Sequence, residues 1–261
     1  MSLPLSQITF TFTVLVTTYL IRYTGQDPNP PKPEDKSTAR GKSSARSLPA
    51  KDKGPKELGT RHASTDSLIS TYFNVTPARY INIITAIGVA HAIFALIPDA
   101  GREAICPNYQ LNNTNPSPMY FTWNTYTSST LLFIWTSLLL RIAAYRSLGS
   151  SFTFRITKPT SGLKTTGVHR FIRHPSYTGY FGSTIGMVML FLRARGLMGC
   201  IVGPGVVGKV VEGLFWVWAV ALVPAVFWVR VREEEAFLAE EFGEEWEAYV
   251  ERTWMFVPGV L

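Results

Sequence analysis

The sequence predicts an all-α integral membrane protein, a multi-span helical bundle ending in a C-terminal helical hairpin. Three observations lead there. Of 261 residues, 46% are hydrophobic and only 16% charged, against roughly 25% charged in ordinary soluble domains. The charges are segregated, with Lys, Arg and Pro crowding residues 26–66 and Glu crowding residues 233–251. Between these regions lie apolar runs long enough to cross a hydrocarbon core of about 30 Å.

Residues 5–21 form an apolar, threonine-rich run with no Lys or Arg before it and Arg22 after it. Residues 1–23 therefore read as an N-terminal anchor or first transmembrane helix. A signal peptide, which carries positive charge ahead of its core, is the alternative. Residues 24–70 alternate Pro with Lys, Ser and Gly. Such a stretch cannot bury enough surface to offset its ordering entropy and reads as a disordered tether.

Residues 71–147 are expected to hold transmembrane helices. The run 80–98 has His91 as its only ionisable residue, a functional candidate by its depth in the membrane. With no second ionisable group in the run, a bond to a neighbouring carbonyl is the simpler role. Residues 99–122 are polar and turn-rich and include the sequon Asn112-Asn113-Thr114. Residues 125–140 make the next span. From 141 to 173 come Arg141, Arg146, Arg155, Lys158, Lys164, Arg170 and Arg173 without an acidic residue. By the positive-inside rule that side is cytosolic, which puts Asn112 in the lumen. The last apolar runs are 176–192 and 208–229. As one helix, 197–229 would reach about 50 Å, too long for the core. Gly203-Pro204-Gly205 breaks it and suggests the turn of an antiparallel hairpin.

The net charge of +7 divides into +14 over residues 1–230 and −7 over residues 231–261. Basic residues beside apolar runs fit a membrane surface, and no nucleic-acid-binding motif is present. Cys106 and Cys200 lie far apart in unlike contexts, which excludes a disulfide scaffold and a multi-cysteine metal site. Four histidines without an HExxH word or an i,i+4 pair speak against a metal enzyme.

Two clusters place charge at the edges of apolar helices. The first is Gly167-Val168-His169-Arg170-Phe171-Ile172-Arg173-His174-Pro175-Ser176-Tyr177-Thr178-Gly179. Its proline suits the first turn of a helix, whose free N–H groups would face a polar or anionic ligand. Ordinary interfacial anchoring accounts for the same residue types. The second is Arg230-Val231-Arg232-Glu233-Glu234-Glu235, followed by Phe242-Gly243-Glu244-Glu245-Trp246. Arg230 and Glu234 share a helix face at i,i+4, although a glutamate run is commonly just a solvated face.

Together these words, with Tyr249 and Pro258 beyond them, resemble the isoprenylcysteine carboxyl methyltransferase family over residues 148–261. The resemblance implies an endoplasmic reticulum membrane enzyme with a cytosolic cofactor pocket. It implies methyl transfer from S-adenosylmethionine to the C-terminal carboxylate of a prenylated cysteine, with CaaX-type proteins as partners. By position it implies that Ser161, Gly162, Leu163, Lys164, His169, His174, Pro175, Ser176, Tyr177 and Glu234 bind the cofactor. Arg230 becomes the catalytic and substrate-binding residue. The family usually has Tyr where His169 stands and often His where Ser161 stands.

The residues suit that chemistry. A C-terminal carboxylate has a pKa near 3.5 and is already a nucleophile at neutral pH, so no general base is required. Arg230 is expected to hold it by charge-assisted hydrogen bonds. Gly182, Gly186, Phe215, Trp216 and Trp218 are candidates for lining the path of the prenyl chain, though helix packing would use the same residues. A phospholipid N-methyltransferase would share fold and cofactor but leave Arg230 without a carboxylate. A sterol-reductase-like enzyme would need NADPH and commonly an acidic residue where Tyr180 stands. A non-catalytic membrane adaptor would work through the Pro/Lys-rich linker.

Overall fold

The computed structural model describes residues 4–29, 66–106, 118–152, 162–203 and 205–259. Asn112, Ser161 and most of the expected tether lie outside the described residues. Among the described residues there are helices and turns, with one isolated bridge and no strand.

Helix α1 (Leu5–Thr24) explains its own threonines. Thr13, Thr17, Thr18 and Thr24 return their hydroxyls to carbonyls four residues back at 2.7–2.9 Å. Polar groups so satisfied can sit among hydrocarbon. The helix is part of the bundle: Trp135 Nε1 donates to Thr17 Oγ1 at 2.8 Å, and Trp123 Nε1 to Thr9 Oγ1 at 3.1 Å.

Helix α2 (Asp66–Leu96) starts inside the stretch read as linker. It packs on α1, with Gly88 against Thr18. The short α3 (Asp99–Ile105) turns back so that Arg102 caps α2, donating to the carbonyls of Phe94 and Ala95 at 3.0 and 2.9 Å. His91 takes the simpler role: Nε2 lies 2.9 Å from the Tyr120 carbonyl, between the rings of Phe121 and Phe191.

Helix α4 (Thr125–Leu148) opens on a capping box. The Asn124 side chain accepts from Thr127 N, and Thr127 Oγ1 accepts from Asn124 N, each at 3.1 Å. It continues past the expected end at 140, carrying Arg141 and Tyr145 into the bundle. Helix α5 (Pro175–Phe191) lies along it. Gly179, Gly182 and Gly186 form one face of α5 and meet Ser137, Arg141 and Ile134 of α4. Small residues at that spacing let two membrane helices approach closely. Gly182 and Gly186 therefore serve helix packing and not a substrate path.

After the short α6 (Leu197–Val202), the chain turns at Gly203, whose φ of +88° favours glycine. Helix α7 (Val206–Val217) then runs through five π-helical residues, Trp218–Leu222, into α8 (Val223–Phe242). Pro224 accounts for the wider turn, since its ring cannot share an α-helical turn with the preceding carbonyls. The continuous run Val206–Phe242 measures about 55 Å, so its charged end must project beyond the hydrocarbon. Helix α9 (Glu244–Glu251) folds back against α8.

By length and composition Arg79–Leu96, Thr125–Ser151 and Val206–Phe242 can each cross a membrane. The chain is an all-α membrane protein. One connection was not legible beforehand: a disulfide joins Cys106, after α3, to Cys200 in α6.

Candidate active site

The site forms where the start of α5, the loop before it and the charged part of α8 converge. Pro175 takes the first position of α5. The residues just before it are held by the C-terminal tail, with Arg173 N donating to the Trp254 carbonyl at 2.8 Å and His174 N to that of Met255 at 3.1 Å. Thr178 Oγ1 donates to the Phe256 carbonyl at 2.8 Å. The tail therefore fixes the backbone of the Arg173-His174-Pro175 word.

Side chains complete the link to α8. Arg173 Nε donates to Glu235 Oε1 at 3.0 Å, and its Nη1 reaches the Thr253 carbonyl at 2.6 Å. His174 Nε2 lies 3.2 Å from the same Glu235 oxygen. The Tyr177 hydroxyl donates to Glu234 Oε2 at 3.1 Å and is hydrogen-bonded by Arg230. Arg230 is buried, with Nη1 3.8 Å from Glu233 Oε2. Arg230 and Glu234 thus share a face, as their spacing predicts, and Tyr177 bridges them.

Two further elements close the floor. Arg141 of α4 is buried and donates from Nη1 to both the carbonyl and Oγ of Ser176 at 3.0 Å. Its Nε reaches the Thr24 carbonyl at 3.0 Å, and its guanidinium lies over Tyr145 and Tyr180. His169 sits on a short turn, Gly167–Arg170, with Nδ1 3.2 Å from Ser147 Oγ. Burial first, then electrostatic interaction with nearby His174 and Lys164, push its pKa down to about 4, so the ring is neutral at pH 7. Tyr249 donates to the His169 carbonyl at 2.7 Å, and burial pushes its phenol up to about 12. Gly162 has φ +75° with open space where a Cβ would stand, so conformation alone accounts for glycine there.

The site opens on one cavity of about 670 Å³. Gly162, Leu163, Lys164, His169, His174, Pro175, Ser176, Tyr177, Arg230 and Glu234 all face it, and Ser161 lies outside the described residues. Most of the remaining wall is apolar, with Ile81, Ile83, Ile84 and Ile87 from α2 and Leu214, Phe215, Trp218 and Phe227 from α7 to α8. Of the aromatics expected along an apolar path, Phe215 and Trp218 face the cavity, whereas Trp216 faces a separate concavity. Sequence reasoning missed Arg141, taken only as a charge that orients the chain, and Glu235, taken as one of a solvated run. The isoleucines of α2 could be found only from the fold. Among the described residues, no group of three His, Cys, Asp or Glu is arranged to hold a metal.

Donors and acceptors suit a zwitterionic cofactor joined to an anionic substrate. Glu234 offers a carboxylate to an ammonium, while Arg230, Lys164 and the first N–H groups of α5 offer donors to carboxylates.

Residues 129–206 match the model of the isoprenylcysteine carboxyl methyltransferase (ICMT) family. Among curated proteins, the chain is 29% identical over 136 residues to the protein-S-isoprenylcysteine O-methyltransferase of Schizosaccharomyces pombe, covering 49% of this chain and 48% of that protein. To the protein of the same name from Dictyostelium discoideum it is 24% identical over 126 residues, covering 47% and 45%. The chain thus spans about half the length of these curated relatives. No solved structure matches it. Arg230 and Glu234 fall beyond the stretch matched by the family model. That stretch holds α4 from its fifth residue on, the loop after it, α5 and α6, and there the chain is similar to the isoprenylcysteine carboxyl methyltransferases.

Proposed function

We propose that this protein methylates the C-terminal carboxylate of a prenylated cysteine, with S-adenosylmethionine as donor and CaaX-processed proteins as substrates. The observation that carries the reading is a single cavity that joins Arg230, His174 and Glu234 to a wall of isoleucine and aromatic side chains. A prenyl-cysteine has the same division, an anionic end on a long apolar chain.

S-adenosylmethionine, when bound, supplies a methyl already activated on a sulfonium. The residues that would hold it are Gly162, Leu163, Lys164, His169, His174, Pro175, Ser176, Tyr177 and Glu234, together with Ser161, which precedes Gly162 in sequence. Arg230 holds the substrate carboxylate, which is ionised at neutral pH and needs no base to attack. Tyr177 keeps Arg230 and Glu234 in fixed relation. Alignment of the two reacting groups supplies the rate, an effect that can reach roughly 7–11 kcal/mol. The basic 141–173 segment and the Glu-rich tail lie on the cytosolic face of the endoplasmic reticulum, where processed proteins arrive.

The test compares Arg230→Ala and Glu234→Ala in detergent-solubilised protein, by S-adenosylmethionine binding and by kinetics on a farnesylated cysteine. Arg230→Ala should raise KM for the prenyl-cysteine by about ten- to hundredfold, the loss of one charge-assisted hydrogen bond, with cofactor affinity nearly kept. Glu234→Ala should weaken cofactor binding first. Absence of methylation by a wild-type protein that binds S-adenosylmethionine overturns the substrate. Absence of binding overturns the reaction.

A further inference from the structure

A second concavity, of about 380 Å³, lies between the end of α5 and the start of α7. Helix α5 spans about 25 Å from its first residue to its last, so this place is at the other end of the bundle from the charged groups of the candidate active site, whose apolar wall reaches up to Leu192. Its wall carries three cations, Arg193, Arg195 and Lys209, and one carboxylate, Glu212.

Glu212 is accounted for within the fold. Its Oε1 takes Arg193 Nη1 at 3.0 Å, and its Oε2 accepts from Ala194 N at 2.8 Å. The other donors are not. Arg193 Nε is buried without an acceptor, and a buried donor left unpaired costs about 1–3 kcal/mol. Among the described residues, neither the Arg195 nor the Lys209 side chain, both exposed, has an ionic or hydrogen-bonded protein partner. Their position also opposes the charge asymmetry of the chain, because short segments on the side away from the cytosol ordinarily avoid Lys and Arg. Orientation therefore does not explain them, whereas an anion in the concavity would.

The neighbouring surface indicates the source of that anion. Val206, Val207, Val210 and Leu214 of α7 are 56–79% exposed in a helix that can cross a membrane. Acyl chains against this face would bring a headgroup to the level of Lys209 and Arg195.

We propose that this concavity binds the phosphate of an anionic glycerophospholipid from the leaflet opposite the candidate active site. The recess carries an excess of two positive charges, which favours an anionic lipid over a zwitterionic one through charge-assisted hydrogen bonds to its phosphate. The binding does not depend on the reaction proposed above.

The experiment measures the thermal midpoint of the full chain in neutral detergent with added phosphatidylglycerol, phosphatidylcholine or inorganic phosphate. Phosphatidylglycerol at about ten times its dissociation constant should raise the midpoint by about 3–6 °C, with phosphatidylcholine and phosphate giving little. The double variant Arg195→Gln, Lys209→Gln should lose most of that shift while keeping the wild-type midpoint in phosphatidylcholine. Arg146→Gln, which removes an exposed cation at the other end of the bundle, should keep it. The proposal fails if the double variant retains the shift, or if Arg146→Gln loses as much of it. An equal shift from inorganic phosphate would make this a small-anion site and overturn the lipid.

Discussion

At the scale of single residues, the site depends on groups whose partners are remote in sequence. Arg141 bonds Thr24 and Ser176, which are 117 and 35 positions away. Glu235 collects Arg173 and His174 from across the loop. Neither role was legible, because local sequence shows Arg141 closing an apolar run and Glu235 ending a run of three identical residues. Arg230, Glu234 and the Arg173-His174-Pro175 word were legible because spacing and the proline fix their geometry locally. His169 yields a pH prediction. Its pKa lies near 4 in the folded protein and near 6.5 when unfolded. Between those values the unfolded chain binds a proton that the folded chain does not. Stability should therefore be full above about pH 6.5 and fall toward pH 4, by up to about 3–5 °C in thermal midpoint per pH unit. Midpoints at pH 7.5, 6 and 5 for wild type and His169→Gln check this, with a shallower fall expected in the variant.

At the scale of elements, the glycine face of α5 shows how one pattern admits two readings. Glycines at 179, 182 and 186 can open a path for a ligand or for a helix, and periodicity is the same in both cases. The fold decides for α4. The three positions differ in what a methyl group would meet. At Gly182 and Gly186 it meets the side chains of Ser137 and Ile134. At Gly179 it meets the Ser137 carbonyl oxygen at 2.5 Å and the Arg141 backbone nitrogen at 2.9 Å, neither of which can rotate away. Gly179→Ala should therefore cost about 1–3 kcal/mol through overpacking, more than Gly182→Ala or Gly186→Ala. Thermal midpoints of the three variants test the order. Helix existence was legible from apolar runs, but helix ends were not. Helix α4 extends beyond its apolar stretch because tertiary contacts of Arg141 and Tyr145, and not local hydropathy, carry its end.

At the scale of the whole molecule, α1 and α2 belong to the same bundle as α4 and α5, although a long polar stretch separates them in sequence. The boundary of that stretch can be placed. Gly25 lines the cavity, and Asn29 donates from Nδ2 to the carbonyls of Gly149 and Phe152 at 2.9 and 2.7 Å. Residues up to Asn29 therefore help to close the candidate active site. Removing residues 35–60 should leave the proposed methyl transfer within about twofold of wild type, since a Pro-, Lys- and Ser-rich stretch of this composition is expected to contribute little to a packed site. Asn29→Ala should lower activity more than that deletion does. Activity and yield of both variants, measured side by side, check the boundary.

The disulfide between Cys106 and Cys200 also sets which pieces of the chain stay attached when the backbone is cut. The two cysteines flank α4, the loop that follows it and α5. A protease site engineered between Phe152 and Gly162 would therefore leave both halves covalently joined, migrating as one species until a reductant is added. A cut between Asn29 and Asp66 has no such bridge, and α1 would be held to the rest by packing and hydrogen bonds, without a covalent link. Electrophoresis of the two nicked proteins, with and without reductant, should give one band becoming two in the first case and two bands throughout in the second.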